Sequence, residues 1–584
     1  MRILDSRRLV GPNMHLLRAG AVAEVAFEPG EEPEAAFALW QDEVLRISQA
    51  VRLRVEELRT RQFKGGAVLC FAAPLDLLLA ASDLNDLAIA RATERLAGRT
   101  PAPLEETLLL LRESIALQTN PRLLELEAEA KARDLPLLFD DSLLSIGMGA
   151  RARSYPLNAL PRSQEIPWKE LGRIPTALIT GTNGKTTSAR LLAHLAAQSG
   201  KRVGLAATDF VSIDGQIVER GDFTGPAAAR LVLRDPRVEL AVLETARGGI
   251  LRRGLAFDGA SCALITNIAD DHLGEYGIDS VRALARAKGV VARAVRPGGK
   301  IALNADDEAS VALFREAPEL FNAEVIWFSL RARDRQGSGP AHDLLVPHLE
   351  RGGEAFLLES GMLVRYSDTK RFELIEAKAI PISFQGAALF NVANALGAAA
   401  LAFQLGISHE QIVRGLRSFR PDGKDNPGRG NLFVGPRGVR VLVDFGHNAH
   451  AVHQLANLAA GLRALKPGAV APLTTISGCA GDRSDDNLRA LAGELFTMGP
   501  RRVLLRDLPD YLRGRAPGEV PEKLRGFLEM CGMPTNSVQI RESEADALQF
   551  ALDAAADEEL ILLLVHLDED EVRALLEARG FRPE

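Results

Sequence analysis

From residue 176 onward, short apolar, β-prone runs alternate with longer stretches in which apolar residues recur every three or four positions. The apolar runs fall at 176–180, 202–206, 239–243, 262–266, 300–303 and 325–328. Strands alternating with amphipathic helices predict a parallel sheet covered on both faces, with ligands at the carboxyl ends of the strands. Residues 338–383 predict a β-rich insertion with turns at Gly352-Gly353 and Ser360-Gly361, followed by a helix at 391–405. Beyond a Pro- and Gly-rich stretch at 421–430, which reads as a hinge, strands at 440–444, 472–476, 502–506 and 560–565 alternate with helices and predict a smaller second α/β domain.

The first 160 residues have a different pattern. A short strand and turn at 1–13 and strands at 21–27 and 67–72 are interspersed with helical stretches at 34–61, 83–96, 104–116 and 120–133. A last apolar piece at 135–144 ends at Gly147-Met148-Gly149. This predicts a small α/β unit, without a phosphate loop and with one histidine, His15, and the expected role is scaffold or docking. The segment 156–175 holds four prolines and reads as a linker. The expected domains are therefore 1–160, 161–420 and 421–584.

Chemistry concentrates after the strand at 176–180, where Gly181-Thr182-Asn183-Gly184-Lys185-Thr186-Thr187 precedes Ala189, Leu191, Leu192 and Leu195 at helical spacing. Strand, glycine loop and helix N-terminus form a phosphate cradle: backbone N–H groups face the anion, Lys185 reaches the outer phosphates, and Thr186 ligates Mg²⁺. The match to the usual P-loop spacing departs at Ile179, where the first glycine would fall. A plain glycine turn before a helix is the competing reading, but it would not call for Lys and paired Thr there.

Bulk composition narrows the classes. At 584 residues the chain exceeds one core, and 25% charged with 47% hydrophobic residues is ordinary for a globular protein. Net charge −7 and pI about 5.9 argue against bulk nucleic-acid binding. No 18-residue apolar run suggests a membrane span, and no basic-then-apolar leader opens the chain, so a cytoplasmic protein is expected. Cys70, Cys262, Cys479 and Cys531 are widely spaced and read as free thiols.

Further polar clusters fall at strand ends. Glu244 to Gly249, including Arg247, follows the run ending at Leu243, and Thr266 to His272 follows Ile265. A carboxylate and an imidazole facing a P-loop can hold Mg²⁺ against phosphates; a helix cap and a packed histidine are the competing roles of Glu244 and His272. Lys288 lies on an arginine-rich helix in a chain with only 12 lysines. Asn304 to Asp307 ends another strand and can meet a purine edge, while Asp444-Phe445-Gly446-His447-Asn448 and Gly478 to Arg483 end strands of the last domain. A nucleotide site built from two domains predicts closure around ATP followed by group transfer.

Together these stretches, with Asn394 and Gly428-Arg429, resemble the Mur ligase family of ATP-dependent amino-acid ligases. Gly221 to Pro226, Glu244 to Arg252 and Arg513 to Glu519 resemble the Mur-like part of cyanophycin synthetase; Gly11-Pro12-Asn13 and Asp141 to Gly149 resemble its N-terminal domain. The resemblance implies ATP and Mg²⁺ as cofactors. Gly181, Thr182, Asn183, Gly184, Lys185, Thr186, Thr187, Asn304, Asn394, Arg429 and Asp444 are then expected on the nucleotide, Asn304 at adenine, Arg429 at phosphate and Asp444 at ribose. Thr186, Glu244 and His272 are expected on the metal. Lys185, His272 and Lys288 are the expected catalytic residues, Lys288 matching a lysine that is carbamylated in many Mur ligases. Arg247, His447, Asn448, Arg483 and Arg513 are expected at the substrates.

The same resemblance implies condensation of an amino acid such as arginine with an aspartyl-type or peptide carboxylate, and a homo-oligomer. Cyanophycin synthetase carries an ATP-grasp domain between its two parts, whereas 156–175 joins them directly here. A separate ATP-grasp ligase is therefore an expected partner, and a non-catalytic nucleotide-binding subunit of such an enzyme is the alternative function. Phe445 stands where the family usually has Tyr, and Asp425-Asn426-Pro427-Gly428 resembles an amino-acid-binding motif of one Mur branch but sits at the hinge.

Overall fold

A computed structural model describes residues 1–271, 273–331, 340–466, 469–566 and 569–584. The described residues divide into two compact units, one drawn from 1–328, 347–355 and 397–408, the other from 329–346, 356–396 and 409–584.

The first unit opens with a four-stranded antiparallel sheet, ordered Arg2–Leu9, Gly20–Ala26, Gly66–Ala72, Glu56–Phe63. Gly66–Ala72 is buried along its whole length. Helices Pro33–Val51 and Leu78–Leu96 supply much of the core beneath it, around Trp40. Inside that core Trp40 Nε1 donates to Asn85 Oδ1 at 2.9 Å, and Asn85 Nδ2 donates to the Leu69 carbonyl at 3.2 Å.

The helix expected over 34–61 ends at Val51, because Arg52 takes a left-handed conformation (φ 58°). Glu56–Phe63 is instead an edge strand of a hairpin with Gly66–Ala72. Its charged sequence has ordinary helix propensity, but the buried strand beside it needs backbone partners, and that demand decides the outcome. The helix expected over 104–116 is two, Leu104–Thr107 and Leu109–Gln118. Leu143–Ile146 pairs with both Leu137–Phe139 and Arg153–Pro156, so the stretch after the last helix is a small sheet.

The larger sheet runs, within this unit, in the order Gln216–Arg220, Phe210–Ile213, Val203–Ala206, Leu240–Glu244, Thr176–Thr180, Ala260–Ile265, Val295–Asn304, Glu324–Ser329. The last six are parallel, as the alternation predicts, and a hairpin not foreseen in the sequence adds the first two antiparallel. Thr176–Thr180 lies between two strands that come later in the chain. Its register sets Ile179 beside Glu244 and Thr180 beside Ile265. The order reverses there, so the loop at 181–184 opens at the point where α/β sheets hold ligands.

The expected β-rich insertion opens on a helix, Pro340–Glu350, before strands Ala355–Glu359, Met362–Ser367 and Lys370–Glu376; residues 338 and 339 lie outside the described residues. A seven-stranded sheet follows, ordered Val538–Arg541, Arg502–Arg506, Leu473–Ser477, Leu560–Leu564, Arg440–Asp444, Arg429–Val434, Arg582–Pro583. The first five are parallel. Arg429–Val434 is antiparallel to Arg440–Asp444, so the stretch read as a hinge already contains the start of a strand. Among the described residues no helix is long and apolar enough to cross a membrane.

Replacing Asn85 with Ala removes the partner of a buried indole N–H and opens a void beside it. The expected cost is about 2–4 kcal/mol, read as a lower denaturant midpoint with unchanged slope in the first unit's unfolding transition.

Candidate active site

The loop after Thr176–Thr180 is built by close backbone approach. Gly181 has φ 151°, and a Cβ there would lie 1.9 Å from Thr266 Oγ1, so no other residue fits without moving the adjoining strand end. Gly184, at φ 82°, sets the turn into the helix Lys185–Ala197. The segment after Ala260–Ile265 braces the loop. Asn267 O accepts from Thr182 N at 2.8 Å, Asn267 Oδ1 accepts from Asn183 N at 3.0 Å, and Thr266 Oγ1 donates to Asn183 O at 2.6 Å. Lys185 Nζ donates back to the Thr182 carbonyl at 2.8 Å, which lays its ammonium over the loop.

Thr186, in the first turn, donates to Glu244 Oε1 at 3.0 Å. Glu244 is 2% exposed. Thr208 donates to the same carboxylate twice, from Oγ1 at 2.8 Å and from its backbone N–H at 3.0 Å. No Lys or Arg pairs with Glu244 among the described residues, so this is a buried carboxylate held by hydroxyl and amide donors alone. Thr208 was not singled out in the sequence; the signal was its place two residues past the strand Val203–Ala206.

On the other flank, Lys288 ends the helix Val281–Lys288 and is buried, donating from Nζ to the Gly181 carbonyl at 2.6 Å. Burial, reinforced by the nearby Lys185 charge, holds its pKa well below that of an ordinary lysine. Arg247 begins the short helix Arg247–Arg253 and pairs with Glu275. Asn304 closes the strand Val295–Asn304; its Nδ2 donates to Thr266 O at 3.1 Å and its Oδ1 accepts from Asp306 N at 3.0 Å. Asp307, capping the next helix, also accepts from Ile268 N at 3.1 Å. His272 lies outside the described residues.

The remaining candidates lie in the second unit. Arg429 and Asp444 face each other across the antiparallel pair, and the Arg429 guanidinium sits 4.2 Å from the Phe445 ring centroid. Burial pushes the Asp444 carboxyl up to about 6, against the opposing pull of Arg429. His447 Nδ1 lies 3.1 Å from the Phe445 carbonyl, and Asn448 caps the helix Ala449–Arg463 by accepting from Ala451 N at 2.9 Å. Arg483 is buried, Arg513 pairs with Asp482, and Asn394 Nδ2 donates to Asn391 Oδ1 at 3.2 Å. A buried cluster missed in the sequence stands at the same strand ends: Arg506 binds Glu544 and donates to the Leu564 carbonyl at 3.0 Å, with His566 Nδ1 also at 3.0 Å. A lone arginine ending an apolar strand gave no sequence signal of these partners.

Residues 179–402 match the family model of the Mur ligase middle domain. These residues form a Mur ligase middle domain. Cyanophycin synthetase of Synechocystis sp. is 36% identical over 423 residues, covering 71% of this chain and 46% of that protein. The chain thus spans about half the length of the cyanophycin synthetases it matches. UDP-N-acetylmuramoyl-L-alanyl-D-glutamate–2,6-diaminopimelate ligase of Alkalilimnicola ehrlichii is 29% identical over 396 residues, 66% of this chain and 70% of that protein. Among solved structures, E. coli FolC in complex with ADP matches with a TM-score of 0.49 at 17% identity, covering 69% of this chain and 90% of that one.

The match to the Mur ligase middle domain starts at Ile179, where the usual P-loop spacing would place its first glycine. Within it the structure brings together Gly181 to Thr187, Glu244, Lys288 and Asn304 around one strand end. Two predictions follow from this geometry. Gly181→Ala forces the loop off Thr266 and Lys288, and nucleotide affinity measured by calorimetry should fall about tenfold or more, since roughly 1.4 kcal/mol is already tenfold. Asp444 has a folded pKa raised above its unfolded value near ~3.9. Its protonated form therefore favours the fold below that value, and this contribution disappears as pH rises through about 6. Asp444→Asn should flatten the fall in stability that the parent shows between about pH 4 and 6, followed by denaturant midpoints.

Proposed function

We propose that this chain is an ATP-dependent carbon–nitrogen ligase that joins an amino acid, arginine foremost, to a carboxylate of an aspartyl-type or peptide acceptor. The observation that carries the reading is the contact between Thr186, in the first turn of the P-loop helix, and the buried Glu244 carboxylate at 3.0 Å. A carboxylate buried without a basic partner among the described residues fits a divalent cation, and its hard oxygen donors suit Mg²⁺, which keeps waters and binds through few protein ligands beside phosphate. Thr186 and Glu244 would hold it, with His272 as the third candidate. Bound there, Mg²⁺ neutralises charge on the phosphates of ATP.

In the reaction, an oxygen of the acceptor carboxylate attacks the γ-phosphorus and the bond to the β-phosphate oxygen breaks, releasing ADP. The amine nitrogen of the second substrate then attacks the acyl carbon. Inorganic phosphate leaves, the amine gives up a proton, and an amide remains. The Lys185 ammonium, poised over the loop, and the N–H groups at the start of the helix, rather than those of Thr182 and Asn183 already bonded to Asn267, stabilise the transferring phosphoryl group. Lys288 is buried with a lowered pKa, which favours the neutral amine that carbamylation by CO₂ requires. Asn304 and Asn394 are assigned to the nucleotide side with Arg429 and Asp444, and Arg247, His447, Asn448, Arg483 and Arg513 to the two substrates, on the family resemblance and on the chemistry of each side chain.

The direct join at 156–175 supports a division of labour in which a separate ATP-grasp ligase prepares the acceptor. The cytoplasm is the compartment this reading requires, since that is where ATP and amino acids are supplied.

Phosphate release from ATP–Mg²⁺, screened over the common amino acids with and without aspartyl peptides, tests the proposal. One acceptor and one amine should stimulate release together, with a product mass equal to their condensation. Lys185→Ala should abolish that turnover while circular dichroism and the unfolding midpoint stay at parental values. Normal turnover in Lys185→Ala, or phosphate release that ignores every amine, would contradict it.

A further inference from the structure

The N-terminal sheet meets the candidate site at the helix that begins at Arg247, through Arg7, and at the loop that leads into the Lys288 helix. The segment that braces the P-loop at Thr266 and Asn267 precedes the helix that delivers Lys288, and residues 273–280 lead into that helix. Two hydrogen bonds close a tight turn in this stretch: Gly274 N to Ile278 O at 2.7 Å and Ile278 N to Glu275 O at 3.0 Å. Tyr276 sits in it at φ 53°, a conformation a bulky residue adopts only when its surroundings impose it.

Those surroundings come from the N-terminal sheet. Arg61, on the edge strand Glu56–Phe63, donates from Nη1 to the Gly277 carbonyl at 2.8 Å and from Nη2 to the Tyr276 carbonyl at 3.3 Å. Phe63, on the same strand, lies against Gly277 so closely that a Cβ there would be 2.6 Å from its ring. Lys64 N donates to Asp279 Oδ2 at 3.1 Å. From the first strand, Arg7 places its guanidinium 4.9 Å from the Tyr276 ring centroid and donates from Nε to the Leu251 carbonyl at 2.9 Å. Arg252 Nε completes the hold on the Tyr276 hydroxyl at 2.5 Å. Glu275, beside this clamped pair of carbonyls, is the partner of Arg247.

We propose that Arg61 is a positioning residue for the ligase site: by holding the Tyr276 and Gly277 carbonyls it fixes Glu275, and so Arg247, and sets where the helix bearing Lys288 begins. This gives the N-terminal unit a role in catalysis without contact with the reacting atoms, and it rests on the ligase reading above. Arg61 suits the task because one planar guanidinium grips two successive carbonyls, which a lysine ammonium does less well.

The test compares the full-length parent with Arg61→Met, Arg61→Lys and Glu275→Gln. Hydrogen exchange at the Gly274 and Ile278 amides should quicken in Arg61→Met, with exchange in Thr176–Thr180 unchanged. The kcat/KM for the acceptor should fall about tenfold or more, while the nucleotide KM stays within about twofold. Arg61→Lys should recover part of the loss. Glu275→Gln, which leaves the sheet contacts alone, should show a similar loss that does not add to that of Arg61→Met. Unchanged exchange at both amides, or faster exchange with unaltered kcat/KM, would overturn the proposal. A parent that binds ATP yet forms no amide would defeat the ligase reading instead, and the exchange data would then decide the clamp alone.

Discussion

The candidate site depends on the backbone of Gly181 passing against Thr266 with no space for a side chain. That approach lets Thr266 and Asn267 bond the loop and lets Lys288 reach the Gly181 carbonyl. The strand order makes the approach possible. Thr176–Thr180 lies between the strands ending at Glu244 and Ile265, so an acidic group and a bracing segment reach the loop from opposite sides. The loop therefore has its shape from protein contacts alone, and on the ligase reading a nucleotide would not have to order it first.

A buried carboxylate and a buried amine flank that loop. Glu244 is held by threonines, and Lys288 meets a carbonyl. Each costs stability by itself, since burying an ionisable group that has no ion-pair partner among the described residues is expensive. Such costs gather where function needs them, and both residues serve the ligase reading directly, one as a cation ligand and one as a neutral amine.

How much of this could be read from the sequence follows from the range of the interactions. The P-loop was legible because strand, glycines, Lys185 and helix are contiguous, and Glu244 and Lys288 because each stands at an element's end with unusual chemistry for its neighbourhood. Thr208 was not, since a threonine after a strand is common and its meaning comes only from lying beside Glu244. The strand Glu56–Phe63 was read as helix because its polar residues fit either state and the deciding partner is the buried strand after the turn. Arg61 was invisible for the same reason: its two carbonyl acceptors lie 215 and 216 residues away. Asn448 shows the converse, a candidate substrate residue whose side chain also caps a helix.

The central claim is that a substrate carboxylate is activated by direct transfer of the γ-phosphoryl group in the site built around Gly181, Lys185 and Glu244. The most direct measurement uses an acceptor whose carboxylate oxygens are ¹⁸O. If the acceptor oxygen attacks phosphorus and the amine then displaces phosphate at carbon, each inorganic phosphate released should carry one labelled oxygen, seen by mass spectrometry or as an isotope-shifted ³¹P signal. Unlabelled phosphate, formed alongside the amide product, would contradict the account.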